Sequence, residues 1–469
     1  MKHIELARRR ARSAAVLALA ACIASAALAQ AGSTAPRRAP PAAVSALNVP
    51  PVAYRERRLA NGLQVLSIED RSSPTVSVQV WYHVGGRNDP PGRSGFAHLF
   101  EHMMFKGTVH MKAEQFDRLT EDVGGSNNAF TSDDVTAYHS VVPSNHLETL
   151  LWAEAERMMN LKVDEASFRS ERAVVQEEYR QRVLASPYGL FFHAVTTEPY
   201  LQHPYKRSAI GSIEDLEAAT LADVVAFHAR YYRPDNATLI VAGDFEARQL
   251  DAWVDKYFGS IKRPAEPLPA FVGSEPPWTA DRTKTITAPT VPLPAIAHVW
   301  QAPPLESPDA AALLVAAAVL SSGESSRLHQ SLVYRQRIAT QAGFEANLRA
   351  GPGLLIAYAI ASGEKPIATI GAELLAEMRR IADSPPTPAE LEKVKNQLIT
   401  GAFSSRQTAF GLASAMGEAA VLEGDPARIN TAIEELQRVS AADVRRVVRR
   451  YVLQAAKVTL DYRQAGAGR

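Results

Sequence analysis

The sequence predicts an α+β fold of two homologous domains, each a mainly antiparallel sheet packed with helices. Three observations predict it: the length and composition, a Pro-rich break near the middle, and a repeat at fixed offset on either side of that break. At 469 residues, with 46% hydrophobic and 22% charged residues, the chain is globular in composition and too long for one ordinary core. Pro264 to Pro294 divides it nearly in half and includes Pro267, Pro269, Pro276, Pro277, Pro289 and Pro292, which reads as a linker running into a strand. Thr220-Leu-Ala-Asp223-Val224 leads to Tyr231, and Ser440-Ala-Ala-Asp443-Val444 leads to Tyr451; each reads as a Ser/Thr-capped helix. An apolar strand follows at matching distance, Thr238 to Ala242 in one half and Val458 to Leu460 in the other. The offset is 220 residues in both features, the mark of a duplication.

Taken in order, residues 1–29 read as a signal peptide, with a basic start, an apolar run from Ala14 to Leu28 and a small-x-small cleavage site at Ala27-Leu28-Ala29 before Gln30. The expected location is periplasmic or secreted. Leu19-Ala20-Ala21-Cys22 offers an alternative, a lipoprotein-type site that would leave the chain lipid-anchored at Cys22. Cys22 is the only cysteine, so the folded part has no disulfide and no thiolate metal ligand. No later apolar run approaches the ~20 residues of a membrane span. Residues 30–51 are Ala/Pro-rich and read as a flexible tether. That leaves 52–263 as one α/β domain, 264–290 as the linker and 291–469 as the second domain. Beyond residue 29 the chain holds 46 basic and 49 acidic residues, a balance without the electrostatic footprint of a nucleic-acid binder.

Thr75 to Val84 alternates like a half-buried strand, and Gly85-Gly86 ends it. A helix is expected from about Gly95 to Phe105. On it His98 and His102 are four residues apart and lie one turn above each other, where two imidazoles can converge on one ion. Glu101 sits beside them. A catalytic zinc keeps one open position for water, and a neighbouring carboxylate can take that water's proton; His-x-x-Glu-His is the inverse of the commoner zinc-protease order. Two solvated histidines on a helix would show the same spacing. A third ligand is offered by Glu171-Arg-Ala-Val-Val-Gln-Glu177-Glu178, where Glu171 and Glu178 are seven apart and share a helix face while Glu177 points about 100° away. Spacing alone also fits a merely solvated acidic face. The Gly124-Gly125 and Asn127-Asn128 pairs, taken alone, read as a polar turn before a strand.

Gly95-Phe-Ala-His98-Leu-Phe-Glu101-His102-Met-Met-Phe105-Lys-Gly107-Thr108, Gly124-Gly-Ser-Asn-Asn128-Ala129-Phe-Thr131 and Glu171-Arg172 through Glu178 together resemble the pitrilysin and insulysin family of zinc peptidases, which includes the mitochondrial processing peptidase. The resemblance covers nearly all of the chain beyond its leader. It implies Zn2+ as cofactor, His98, His102 and Glu178 as its ligands, Glu101 as catalytic base and Glu171 as a support to the site. It also implies that Asn128 and Ala129 lie on an edge strand to which a peptide substrate adds as a further strand.

One departure stands out. The resemblance calls for an arginine and a tyrosine seven residues apart in the second half, and the aligned positions are Val333 and Thr340; a shift of four places pairs Arg337 with Phe344, which has no hydroxyl. The chain is therefore expected to be the zinc-bearing subunit of a heterodimer whose sister supplies the pair. The expected activity is endopeptidase action on peptides or unfolded segments in an enclosed chamber. The alternative is a non-catalytic peptide-binding or structural subunit, and manganese or cobalt could occupy the same ligands. His139 reads as a packed histidine, Arg445, Arg446, Arg449 and Arg450 as a solvated helix face, and His203-Pro204-Tyr205 is assigned no chemistry.

Overall fold

A computed structural model describes residues 49–363 and 365–466. The signal peptide, Cys22 and residues 30–48 of the tether lie outside the described residues. The first sheet contains β1 (Arg55–Arg58), β2 (Gln64–Glu69), β3 (Thr75–Tyr82), β4 (Ser126–Thr131), β5 (Thr136–Pro143) and β6 (Ala237–Gly243), in the order β1-β2-β6-β3-β5-β4. The second contains β7 (Arg282–Ala288), β8 (Ala295–Ala302), β9 (Ala339–Asn347), β10 (Gly353–Ala361) and β11 (Lys457–Gln464), in the order β7-β11-β8-β10-β9. Each sheet is antiparallel except for one parallel pair, β2 with β6 and β7 with β11. The second sheet thus repeats the path of the first from β2 onward. This places β7 inside the segment expected to be linker, so the irregular connection ends before Arg282.

The principal helices repeat in the same way. In the first half they are α1 (Phe96–Met103), α2 (Leu147–Asn160), α3 (Glu165–Tyr179), α4 (Gly189–Thr197) and α5 (Leu221–Tyr231). In the second they are α6 (Ala310–Ser321), α7 (Ile367–Asp383), α8 (Pro388–Ser405), α9 (Ala409–Gly417) and α10 (Ala441–Val448). The expected caps are present: Thr220 with Asp223 and Ser440 with Asp443 form capping boxes at the starts of α5 and α10. The inner face of the first sheet packs with α1, α2 and α5 around Val78, Val80, Leu99, Phe100, Leu151 and Val241.

The halves are interlocked through one helix each. α9, from the second half, covers the outer face of the first sheet, where Leu412 and Met416 pack with Leu66, Trp81, Ala137 and Ile240. α4, from the first half, covers the second sheet, where Phe191 and Val195 pack with Val299, Leu354 and Tyr462. At about 1.5–3 kcal/mol for each large apolar side chain buried, this exchange contributes many kilocalories to joining the halves. It also corrects the expectation of a half-buried strand at Thr75 to Val84, because β3 is buried on both faces. Ser77 and Gln79, whose alternation suggested a solvent face, lie under α9. Gln79 Nε2 donates to Phe410 O (3.2 Å) and Ser414 Oγ (3.1 Å), and accepts at Oε1 from Trp81 Nε1 (2.8 Å). Gly417 lies flat on the Trp81 ring: a Cβ there would stand 2.2 Å from the indole.

Candidate metal centre and active site

The site is built on α1, and the start of α1 is held tightly. Gly95 adopts a left-handed conformation (φ 91°), and a Cβ there would meet Gly211 Cα and Ile210 O at 2.9 Å, so the entry to the helix requires glycine. Buried Asp89 accepts from Gly95 N (2.7 Å) and Ala97 N (2.9 Å), satisfying amides at the helix start. Ser94 donates from N (2.9 Å) and Oγ (2.5 Å) to Asp215.

From this base α1 presents His98 and His102 to α3. Glu178 Oε2 lies 3.6 Å from His98 Nε2 and 3.4 Å from His102 Nε2. Donor atoms of His98, His102 and Glu178 all fall within 4.8 Å of one another, and among the described residues this is the cluster of three or more such side chains able to hold a metal ion. Two imidazole nitrogens and one carboxylate oxygen are the donor set of a catalytic zinc site with a position left open, so the residues fit the ion. His98 is buried, whereas His102 and Glu178 are partly exposed, which leaves the site open on one side.

Glu178 and Glu171 each divide their two oxygens between histidine and a cation. Glu178 meets the histidines through Oε2 and Arg182 Nη1 through Oε1 (2.6 Å). Glu171 lies with Oε2 3.6 Å from His102 Nδ1 and receives Lys106 Nζ on Oε1 at 2.7 Å. Glu171 therefore stands behind His102, where it can orient the ring so that Nε2 faces the metal position. The buried His98 Nδ1 has no hydrogen-bond partner.

The electrostatics separate the two histidines. Burial, reinforced by His102, depresses the His98 pKa to about 4. Burial also opposes charge on His102, but Glu171 and Glu178 outweigh it and raise its pKa to about 9. Burial would lift Glu178 too, yet the His102 hydrogen bond and the His98 and Arg182 charges hold it at about 2. Glu101 is raised by burial, against a hydrogen bond from Thr131 Oγ1 to its Oε2 at 2.6 Å.

Asn128 and Ala129 lie on β4, the end strand of the first sheet, whose outer edge pairs with no strand among the described residues. Thr131, at the end of the same strand, touches Glu101, so this free edge runs beside the metal cluster. Asn128 Oδ1 accepts from Ala129 N (2.9 Å), a bond that an incoming strand would have to replace. In the second half, Val333 lies in a π-helical turn, Thr340 on β9 and Phe344 in the core, so neither alignment supplies an arginine and tyrosine pair. His139 is packed edge-on against Phe410 (ring centroids 4.9 Å apart) and is depressed by burial to about 4. The arginine face of α10 and the turn after it is more than solvated: Arg446 on the helix and Arg450 and Tyr451 just beyond it all bond buried Asp309, at 2.6, 3.3 and 2.8 Å. Sequence reasoning gave no role to Thr131, Lys106 or Arg182. Thr131 and Lys106 fall inside the motifs that carry the resemblance, the one signal that could have singled them out.

An α+β fold of two like sheets with a His-His-Glu cluster beside a free strand edge places the chain in the class of two-domain metal-dependent peptidase folds. The description Insulinase (Peptidase family M16) matches residues 64–212, and Peptidase M16 inactive domain matches residues 218–398. The zinc protease PqqE of Helicobacter pylori is 34% identical over 341 residues, 72% of this chain and 76% of that protein. An uncharacterized zinc protease of Mycobacterium tuberculosis is 27% identical over 88% of this chain and 93% of its own length. The crystal structure of a protease from Helicobacter pylori superposes with a TM-score of 0.83 at 30% identity, covering 88% of this chain and 99% of that one. The periplasmic protease PqqL from Escherichia coli shares the fold (TM-score 0.72, 17% identity), matched over 89% of this chain and 48% of its own. The chain belongs to the insulinase family, peptidase family M16, whose relatives here are named zinc proteases.

Proposed function

We propose that the protein is an exported zinc endopeptidase that hydrolyses peptides or unfolded segments, acting as the zinc-bearing subunit of a heterodimer. The observation that carries this reading is the convergence of His98, His102 and Glu178 within 4.8 Å, with Glu101 on the same helix and the free β4 edge alongside. Zinc held by those three residues would supply Lewis-acid charge to a carbonyl oxygen and to water. Glu101 takes the proton of the attacking water and passes it to the leaving amine. A peptide adds along β4, with Asn128 and the Ala129 amide meeting its backbone, so that recognition rests on main-chain bonds and tolerates many sequences. Glu171 orients His102. Export rests on residues 1–29, and no described helix is long and apolar enough to cross a membrane.

The heterodimer rests on Val333 and Thr340, which leave the oxyanion without a guanidinium or phenol from this chain's second half. It is supported by a like fold occurring as one part of the longer PqqL chain. The test is cleavage of a mixture of quenched unstructured peptides by the processed chain, alone and with a co-expressed sister subunit. Activity should need the sister, and Glu101→Gln should lower kcat by roughly 10²- to 10⁴-fold with zinc retained. Strong activity from the chain alone would remove the heterodimer from this reading. No cleavage in any combination, despite bound zinc, would replace the peptidase with a peptide-binding subunit.

A further inference from the structure

The turn joining β4 to β5 carries no metal ligand, yet it is held from both halves of the chain. From the first half, Ser132 N donates to Val135 O (2.9 Å), Ser132 Oγ accepts from Asp134 N and Val135 N (3.2 Å each), and Gly86 N donates to Ser132 O (3.0 Å). From the second half, Arg349, on the connection between β9 and β10, forms an ion pair with Asp133 (Nη1 to Oδ2, 3.0 Å), and Ala350 N donates to Asp134 at 3.2 Å. Asp134 also receives Arg87 (2.7 Å) and the Tyr205 hydroxyl (2.5 Å), and that hydroxyl accepts from Gly351 N (3.0 Å). The Arg349 and Asp134 side chains are only 9% and 6% exposed, so water screens these pairs little.

Thr131 is the last residue before this turn. Its hydroxyl has one proton to give, and its neighbours are Glu101 Oε2 at 2.6 Å and Thr136 Oγ1 at 3.4 Å. The Thr136 hydroxyl is itself committed to Val84 O (2.9 Å), and the shorter contact is the length of a hydrogen bond to a charged carboxylate. We infer that Thr131 is the positioning residue of the base and that the second half of the chain reaches the reaction through it. Arg349 fixes the turn, the turn fixes Thr131, and the Thr131 hydroxyl holds Glu101 Oε2 so that Oε1 is the oxygen left to take a proton. This rests on the reading of Glu101 as base.

The experiment uses the zinc-loaded processed chain with its sister subunit. Thr131→Val, nearly isosteric, should lower kcat roughly 10- to 100-fold, the loss of one hydrogen bond to a charged group, with KM and zinc affinity by chelator competition unchanged. Thr131→Ser should restore the rate. In a crystal structure of zinc-loaded Thr131→Val, Glu101 should leave its wild-type rotamer. Arg349→Met would leave Asp133 without its cation, so Arg349→Lys is used; it should lower kcat roughly three- to tenfold. The double variant should be no slower than Thr131→Val alone, because both act through one contact. A wild-type kcat and unmoved Glu101 in Thr131→Val, or additive losses in the double variant, would overturn the inference. Glu101→Gln separates the two failures: if it is inactive while Thr131→Val is fully active, only this inference falls, whereas an active Glu101→Gln removes the base and the inference with it.

Discussion

The two halves share a scaffold, and the site lies where one pair of equivalent helices differs. In the first half α1 sets His98, Glu101 and His102 against Glu171 and Glu178 of α3. In the second, α6 reads Ala-Ala-Ala-Leu-Leu-Val-Ala-Ala-Ala-Val-Leu-Ser and packs beside α8, whose Leu391, Val394 and Leu398 join the core. A dry helix pair needs only shape. A polar one must offset the cost of burying charge, several kilocalories per ion, and here each carboxylate has its own cation and the base its own hydroxyl. The half without the site is not idle, since α9 seals the outer face of the first sheet and Arg349 braces the turn next to the base.

The largest expected effect comes from copying the apolar half onto the polar one. Glu178→Leu should abolish zinc retention, read as metal per chain by atomic absorption after gel filtration; full occupancy would show that Glu178 is not a ligand. The next concerns protons. A metal ligand must be neutral imidazole, and His102 is cationic below about 9 in the metal-free protein, so zinc binding should release one proton and tighten as pH rises. Affinity by competition titration should climb about fiftyfold from pH 7 to pH 9 and level off above 9; a flat profile would break the distinction between the two histidines. The same shift stabilises the metal-free fold, fully below the ordinary value of 6.5 and progressively less as pH rises through about 9. The smallest effect is on the interlock. Gly417→Ala forces a methyl into the Trp81 ring and should cost about 1–3 kcal/mol of stability, seen as a lower Tm in calorimetry. An unchanged Tm would mean that α9 can slide on the first sheet.

Much of the site was legible because its spacing is local. His98, Glu101 and His102 lie on one turn of one helix, and the seven-residue step from Glu171 to Glu178 puts both on one face. Their meeting across α1 and α3 needed the resemblance, since no periodicity says which helices touch. Thr131 and Arg182 escaped notice for the same reason: each is ordinary in its own element and acquires a role only through a carboxylate on another. Ser77 and Gln79 misled the reading of β3 because alternation reports polarity, not water, and here Gln79 finds its partners in α9, the Phe410 carbonyl and the Ser414 hydroxyl, instead of in solvent.

By itself the sequence determined the duplication, the capped helices, the α+β class and the helix that presents two histidines and a glutamate, all of which follow from residues a few positions apart or from a repeat at fixed offset. Only the tertiary structure decided that the halves exchange α4 and α9, that β7 belongs to the second sheet, and that the β4–β5 turn is braced across the molecule. The physical reason is distance along the chain. Asp134 and Ala350, 216 residues apart, bond only because two sheets, each built locally, dock with their helices interlocked, and the packing of buried surfaces that selects that arrangement leaves no period to read.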